Sequence, residues 1–119
     1  MAWIEAEVFY AQIKSLSLSP VVLLTGEEPY LIRQALDQIK SQYVQDEMKD
    51  FNFTEYFAGD AQLDQVRDNV ETLPTFAPLR VIILKEAHEL NDSDWETLEP
   101  VLQKPVESTL FVITASRLD

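Results

Sequence analysis

The chain has 119 residues, enough for one compact domain with its own core and too few for two. Twenty-one acidic residues against nine basic ones give a formal charge of −12, a field that repels a phosphate backbone and argues against direct nucleic-acid binding by this chain alone. Cysteine is absent, which removes disulfides, thiol catalysis and cysteine-rich zinc sites together and fits a reducing cytoplasm.

In chain order, Ile4, Val8, Phe9, Ala11 and Ile13 recur among polar residues and predict an amphipathic helix from Ala2 to about Leu16. Pro20 introduces a strand, Val21–Thr25. Pro29 suits a first helical turn, and Leu31, Ile32, Ala35, Leu36, Ile39 and Tyr43 stack on one face of a long helix expected to reach about Lys49. "FNFTEYF" alternates, with Phe51, Phe53 and Phe57 on one side, as a half-exposed edge strand does. Asp60 is the expected cap of a helix striped by Leu63, Val66, Val70 and Leu73 and stopped by Pro74.

"RVIILK", Arg80 to Lys85, is a continuous apolar run of the kind that lies in the middle of a sheet covered on both faces. Ser93 with Glu96 reads as a capping box, and Trp95, Leu98, Val101 and Leu102 continue as a helical face. "TLFVITA", Thr109 to Ala115, is the last strand. Helices alternating with strands predict a parallel sheet flanked by helices, a three-layer α/β domain. The apolar runs Val21–Leu24 and Val81–Leu84 are too short to cross a bilayer, and acidic Glu5 and Glu7 at the start argue against a targeting segment. With two glycines and no repeat or linker, no internal boundary is visible.

Ligands of open parallel sheets bind beyond the carboxyl ends of the strands, here Thr25–Glu28, Lys85–Glu89 and Ala115–Asp119. "LLTGEEPYLIRQAL" has the strand-to-helix layout of a phosphate loop, but it lacks the second glycine, the lysine and the hydroxyl, and Glu27 and Glu28 repel a triphosphate. Gly26 reads as a turn glycine. "VIILKEAHEL" has the shape of an hhhhDEAH element, with Lys85 standing where the magnesium-binding Asp would be and Glu86 following it. Both essential corners of an ATPase are thus altered.

His88, the single histidine, lies in a polar stretch with no nucleophile signal and reads as a surface residue. Asp92, Asp94, Glu96 and Glu99 lack the spacing of a calcium loop and are better explained as helix-start charges. Trp3 and Trp95 fit core or interface packing. No metal or cofactor site is expected.

"TLPTFAPLR", Thr72 to Arg80, has Phe76 between Pro74 and Pro78, with Leu73 and Leu79 nearby. A rigid loop presenting an aromatic ring can plug a partner's apolar pocket, since prolines reduce the ordering cost of binding. It can equally fold back over the core, and pattern alone leaves both uses open.

The segments "PVVLLTGEEPYLIRQAL", "DFNFTEYFAGD", "TLPTFAPLRVIILKEAHEL" and "TLFVITASRLD" occur in an order and register that resembles the N-terminal domain of the delta subunits of bacterial DNA polymerase III, part of the sliding-clamp loader. The resemblance runs from about Val21 to Asp119. It implies a Rossmann-like AAA+ core with sheet order 1-4-3-2 and a degenerate nucleotide site at Gly26, Glu27, Glu28, Lys85 and Glu86, so no hydrolysis by this domain and no cofactor.

It also implies a role in replication: insertion of a hydrophobic element into the beta sliding clamp, weakening one ring interface so that DNA can enter. The family's adjacent apolar pair, commonly Leu-Phe, matches Thr75 and Phe76, and Leu73, Pro74 and Leu79 are the neighbours able to supply the apolar area that Thr75 lacks. The resemblance further implies that residues 1–119 are a single N-terminal domain of a longer cytoplasmic subunit, whose lid and collar domains lie beyond it. Contacts with the other loader subunits run through the collar, and DNA is met only through the complex. The rival readings are a P-loop-like NTPase with an unusual site and an acidic response-regulator-like domain, the latter requiring an Asp where Lys85 stands.

Overall fold

The computed structural model describes residues 6–44, 52–74 and 79–116. Among these residues four helices and four strands alternate: α1 (Ala6–Lys14), β1 (Val21–Thr25), α2 (Pro29–Tyr43), β2 (Phe53–Phe57), α3 (Leu63–Glu71), β3 (Arg80–Lys85), α4 (Asp92–Gln103) and β4 (Thr109–Ala115). One 3₁₀ turn, Ala87–Glu89, follows β3. The strands form one parallel sheet in the order β1-β4-β3-β2, with Val21 beside Phe111, Ile82 beside Phe111 and Phe53 beside Val81. This is the Rossmann-like, AAA+-type order expected from the resemblance.

The apolar runs explain the layers. In a strand, successive side chains point to opposite faces, so a run with no polar interruption needs cover on both. Val81, Ile83, Leu110 and Val112 meet Phe9 and Ile13 of α1 and Ala35, Leu36 and Ile39 of α2. Their neighbours Ile82, Leu84, Phe111 and Ile113 meet Leu63, Val66 and Val70 of α3 and Leu98 and Val101 of α4. All of β4 is buried, whereas β1 and β2, at the two edges, are only half-buried.

Several boundaries differ from expectation. Helix α1 stops at Lys14 because Leu16 takes a left-handed conformation (φ 56°), while Ser17 N–H returns to Gln12 O at 2.9 Å. That is a Schellman ending with leucine where glycine is usual. Helix α2 ends at Tyr43 rather than near Lys49, and Val44 is already extended. The apolar stripe runs out there, and the Tyr43 hydroxyl accepts Leu18 N–H at 3.0 Å. Residues 45–51, with Phe51, lie outside the described set, as do Trp3 and the rest of 1–5.

Asp60 does not cap α3. Its N–H closes a turn onto Phe57 O at 3.0 Å, and the N-cap is Gln62, without a side-chain bond. Leu73 lies beyond the end of α3, not on its stripe. The capping box of α4 is Asn91 with Asp94, two residues before the expected Ser93 and Glu96. Asn91 Oδ1 accepts Asp94 N–H at 2.8 Å and Asp94 Oδ2 accepts Asn91 N–H at 3.1 Å.

Candidate functional site

Two places carry the chemistry singled out in the sequence: the carboxyl edge of the sheet, and the base of the segment between α3 and β3.

At the sheet edge, α2 and the ends of the strands enclose a cleft of about 380 Å³, lined by Gly26, Ile32, Leu36, Lys85, Glu86 and Ser116 among others. Two backbone donors that a phosphate could use there are engaged within the chain. Gly26 N–H donates to Ala115 O at 3.2 Å. At the N-terminus of α2, where free N–H groups and the helix dipole favour an anion, the Glu28 carboxylate itself accepts Tyr30 N–H at 3.3 Å. Glu27 is exposed beside it.

Lys85, at the carboxyl end of β3, is bound to the protein's own side chains. Its Nζ lies 2.8 Å from Glu55 Oε2 and 4.6 Å from the centre of the Phe57 ring, while Lys40 Nζ reaches Glu55 Oε1 at 2.9 Å. Burial pushes the Glu55 carboxyl up, but hydrogen bonds and charge from Lys40 and Lys85 outweigh it and hold the group below the ordinary glutamate value. Glu86 is exposed and left-handed (φ 61°), the bend that starts the 3₁₀ turn. In that turn exposed His88 accepts Ser116 N–H at Nδ1 (3.2 Å), tying the end of β3 to the end of β4.

The acidic group at α4 is spent in part on its own helix: Asp94 closes the capping box and Glu99 Oε1 accepts from Gln103 Nε2 at 2.7 Å. Trp95 packs half-buried against the core between the sheet and α3/α4.

The second place begins where α3 ends. Leu73 is 73% exposed, Pro74 is half-buried, and Leu79 packs against the core on the α1/α2 side. Thr75 and Phe76 lie outside the described residues, as does the rest of 75–78. Between the end of α3 and the head of β3 sits a network that sequence reasoning did not find. Arg80, 6% exposed, donates from Nε to Thr72 O (3.1 Å), from Nη2 to Leu73 O (3.2 Å) and from Nη1 to Asn69 Oδ1 (2.9 Å). Asn69 Nδ2 in turn donates to Tyr56 OH (2.9 Å) and Thr54 Oγ1 (3.2 Å) of β2. The available signal was an arginine at the head of the apolar run Val81–Leu84, which must find polar partners if it is buried.

A family model described as "DNA polymerase III, delta subunit" matches residues 22–119, most of the chain. This chain belongs to that family. Among its relatives, the DNA polymerase III subunit delta of Bacillus subtilis (strain 168) is 29% identical over 114 residues, covering 89% of this chain and 33% of the relative. The solved Bacillus subtilis DNA clamp loader delta protein (YqeN) superposes with a TM-score of 0.87 at 27% identity, over 97% of this chain and 37% of that one. The delta-family chain therefore spans about a third of the length of these relatives. A gamma subunit-related protein from Thermotoga maritima shares the fold, with a TM-score of 0.68 at 12% identity over 92% of this chain and 39% of its own. Among the described residues of the delta-family chain, no helix is long and apolar enough to cross a membrane.

Proposed function

We infer that this delta-family chain is the clamp-engaging domain of a loader subunit, an AAA+-like scaffold that does not hydrolyse nucleotide and instead presents an apolar element to the beta sliding clamp. The carrying observation is Leu73: a leucine 73% exposed at the entrance to "TLPTFAPLR", on a backbone whose carbonyl is held from below by Arg80. Phe76 is the principal plug residue of this reading, with Leu73 and Pro74 supplying apolar area beside Thr75. Leu79, turned against the core, contributes less. The engaged donors around Gly26, Glu28 and Lys85 support the reading that the sheet edge has given up phosphate binding. On this account residues 1–119 are the N-terminal domain of a longer cytoplasmic subunit, joined to its loader partners through the remainder and meeting DNA only within the complex.

Burying one phenylalanine is worth about 1.5–3 kcal/mol, enough to bias a ring interface and too little to set the whole affinity. Phe76→Ala is expected to weaken binding to a bacterial beta clamp by about 10- to 150-fold, the equivalent of that burial. Isothermal titration, with and without Mg-ATP, should give the same affinity in both buffers. Unchanged binding by Phe76→Ala, with an unchanged circular dichroism spectrum, would remove the plug.

A further inference from the structure

We propose that Arg80 is a positioning residue for clamp binding, fixing the backbone of Thr72 and Leu73 so that the exposed Leu73 is held ready before the partner arrives. The proposal rests on the clamp-binding reading above. Arg80 is buried, yet among the described residues no carboxylate lies within ion-pair distance of it. A buried cation without a counter-ion is costly unless hydrogen bonds and dipoles replace water. Here all three bonds go to neutral acceptors at the C-terminal end of α3, Asn69 Oδ1 in its last turn and the carbonyls of Thr72 and Leu73 just past it, where the helix dipole favours positive charge.

The fold does not need a charge at this point to satisfy the end of α3. Thr109 Oγ1 of β4 already donates to Val70 O (2.7 Å), Thr72 Oγ1 to Asp68 O (2.7 Å) and Thr72 N–H to Asn69 O (3.2 Å). What Arg80 adds is control of the two residues that follow the helix. Its own backbone is locked in β3, with Arg80 N–H donating to Ser108 O at 2.9 Å. The planar fork thus bridges from the sheet to the exit of the helix and sets where Leu73 stands. Asn69 is held between Arg80 and the hydroxyls of Thr54 and Tyr56, so the fork is aligned from a third element. Lysine could not make three bonds of this fixed geometry.

The test measures clamp affinity and stability together for Arg80→Met, Arg80→Lys and Phe76→Ala. Arg80→Met keeps a similar length and removes a charge that is expensive to bury, so its unfolding midpoint should stay near that of the parent. Its clamp affinity should nevertheless fall roughly tenfold, as expected when a residue or two must be ordered on binding. Arg80→Lys should lose affinity similarly. Amide exchange should quicken at Thr72 and Leu73 while the amides of β4 stay protected. If Phe76→Ala loses binding while Arg80→Met and Arg80→Lys bind like the parent, the positioning role is wrong and the plug stands. If Phe76→Ala binds normally, both fall. Should Arg80→Met not fold, Arg80→Lys and Asn69→Ala, which removes the acceptor of Nη1, decide the matter by the same comparison.

Discussion

At the scale of single residues, Lys85 shows how the sign of one charge sets what a strand end can hold. An aspartate there would present negative charge to a metal, whereas lysine recruits Glu55 from the edge strand, and Glu55 also takes Lys40 from α2. Two cations share one carboxylate, half-buried and backed by the Phe57 ring. Because the folded carboxyl releases its proton more readily than the unfolded one, this triad contributes fully above the ordinary glutamate range and fades as pH falls through the lowered folded value. Glu55→Gln should destabilise the chain by about 1–2 kcal/mol at neutral pH, between the values for exposed and buried pairs. The difference should shrink toward acid in urea unfolding series. A gap that stayed constant with pH would show that the triad's charge is not its source.

At the scale of elements, caps and stripes decide where helices begin and end. Asn91, not Ser93, carries the start of α4, because its Oδ1 and the Asp94 carboxylate satisfy each other's backbone N–H groups. Asn91→Ala should therefore lower stability by about 1 kcal/mol, while Ser93→Ala should change it by a few tenths at most. Chemical denaturation of the two variants side by side is the check, and equal losses would return the cap to Ser93. Two boxes were possible two residues apart, and sequence spacing alone does not rank them. Helix α2 makes the complementary point: its apolar stripe in the sequence carries no apolar residue three or four positions beyond Tyr43, where Asp46 and Glu47 stand, and the helix ends at Tyr43 with Val44 extended.

At the scale of the whole molecule, one sheet separates two apolar layers, so neither layer can persist without the other. Ile83 faces α1 and α2 and Leu84 faces α3 and α4, both fully buried and adjacent in sequence. Ile83→Ala and Leu84→Ala should each cost about 2–5 kcal/mol, the range for buried aliphatic truncation. Each should lower a single cooperative transition, seen alike by far-ultraviolet circular dichroism and, in a Trp3→Phe background, by the fluorescence of Trp95. Separate transitions would mean that the layers unfold independently.

The apolar patterning of this chain by itself determined the alternation of helices and strands and the central place of β3, and the residue types at Gly26–Glu28 showed that the second glycine, the lysine and the hydroxyl of a phosphate loop are missing there. Periodicity and missing residue types are local properties that need no partner to be read. The resemblance across four segments added the family and the strand order. Only the tertiary structure decided that Glu55 neutralises Lys85, that His88 joins two strand ends and that Arg80 reaches back to Leu73. These pairs are far apart in sequence or lie across a turn whose path composition does not specify. A charged side chain declares its need for a partner, but only packing determines which partner comes within reach.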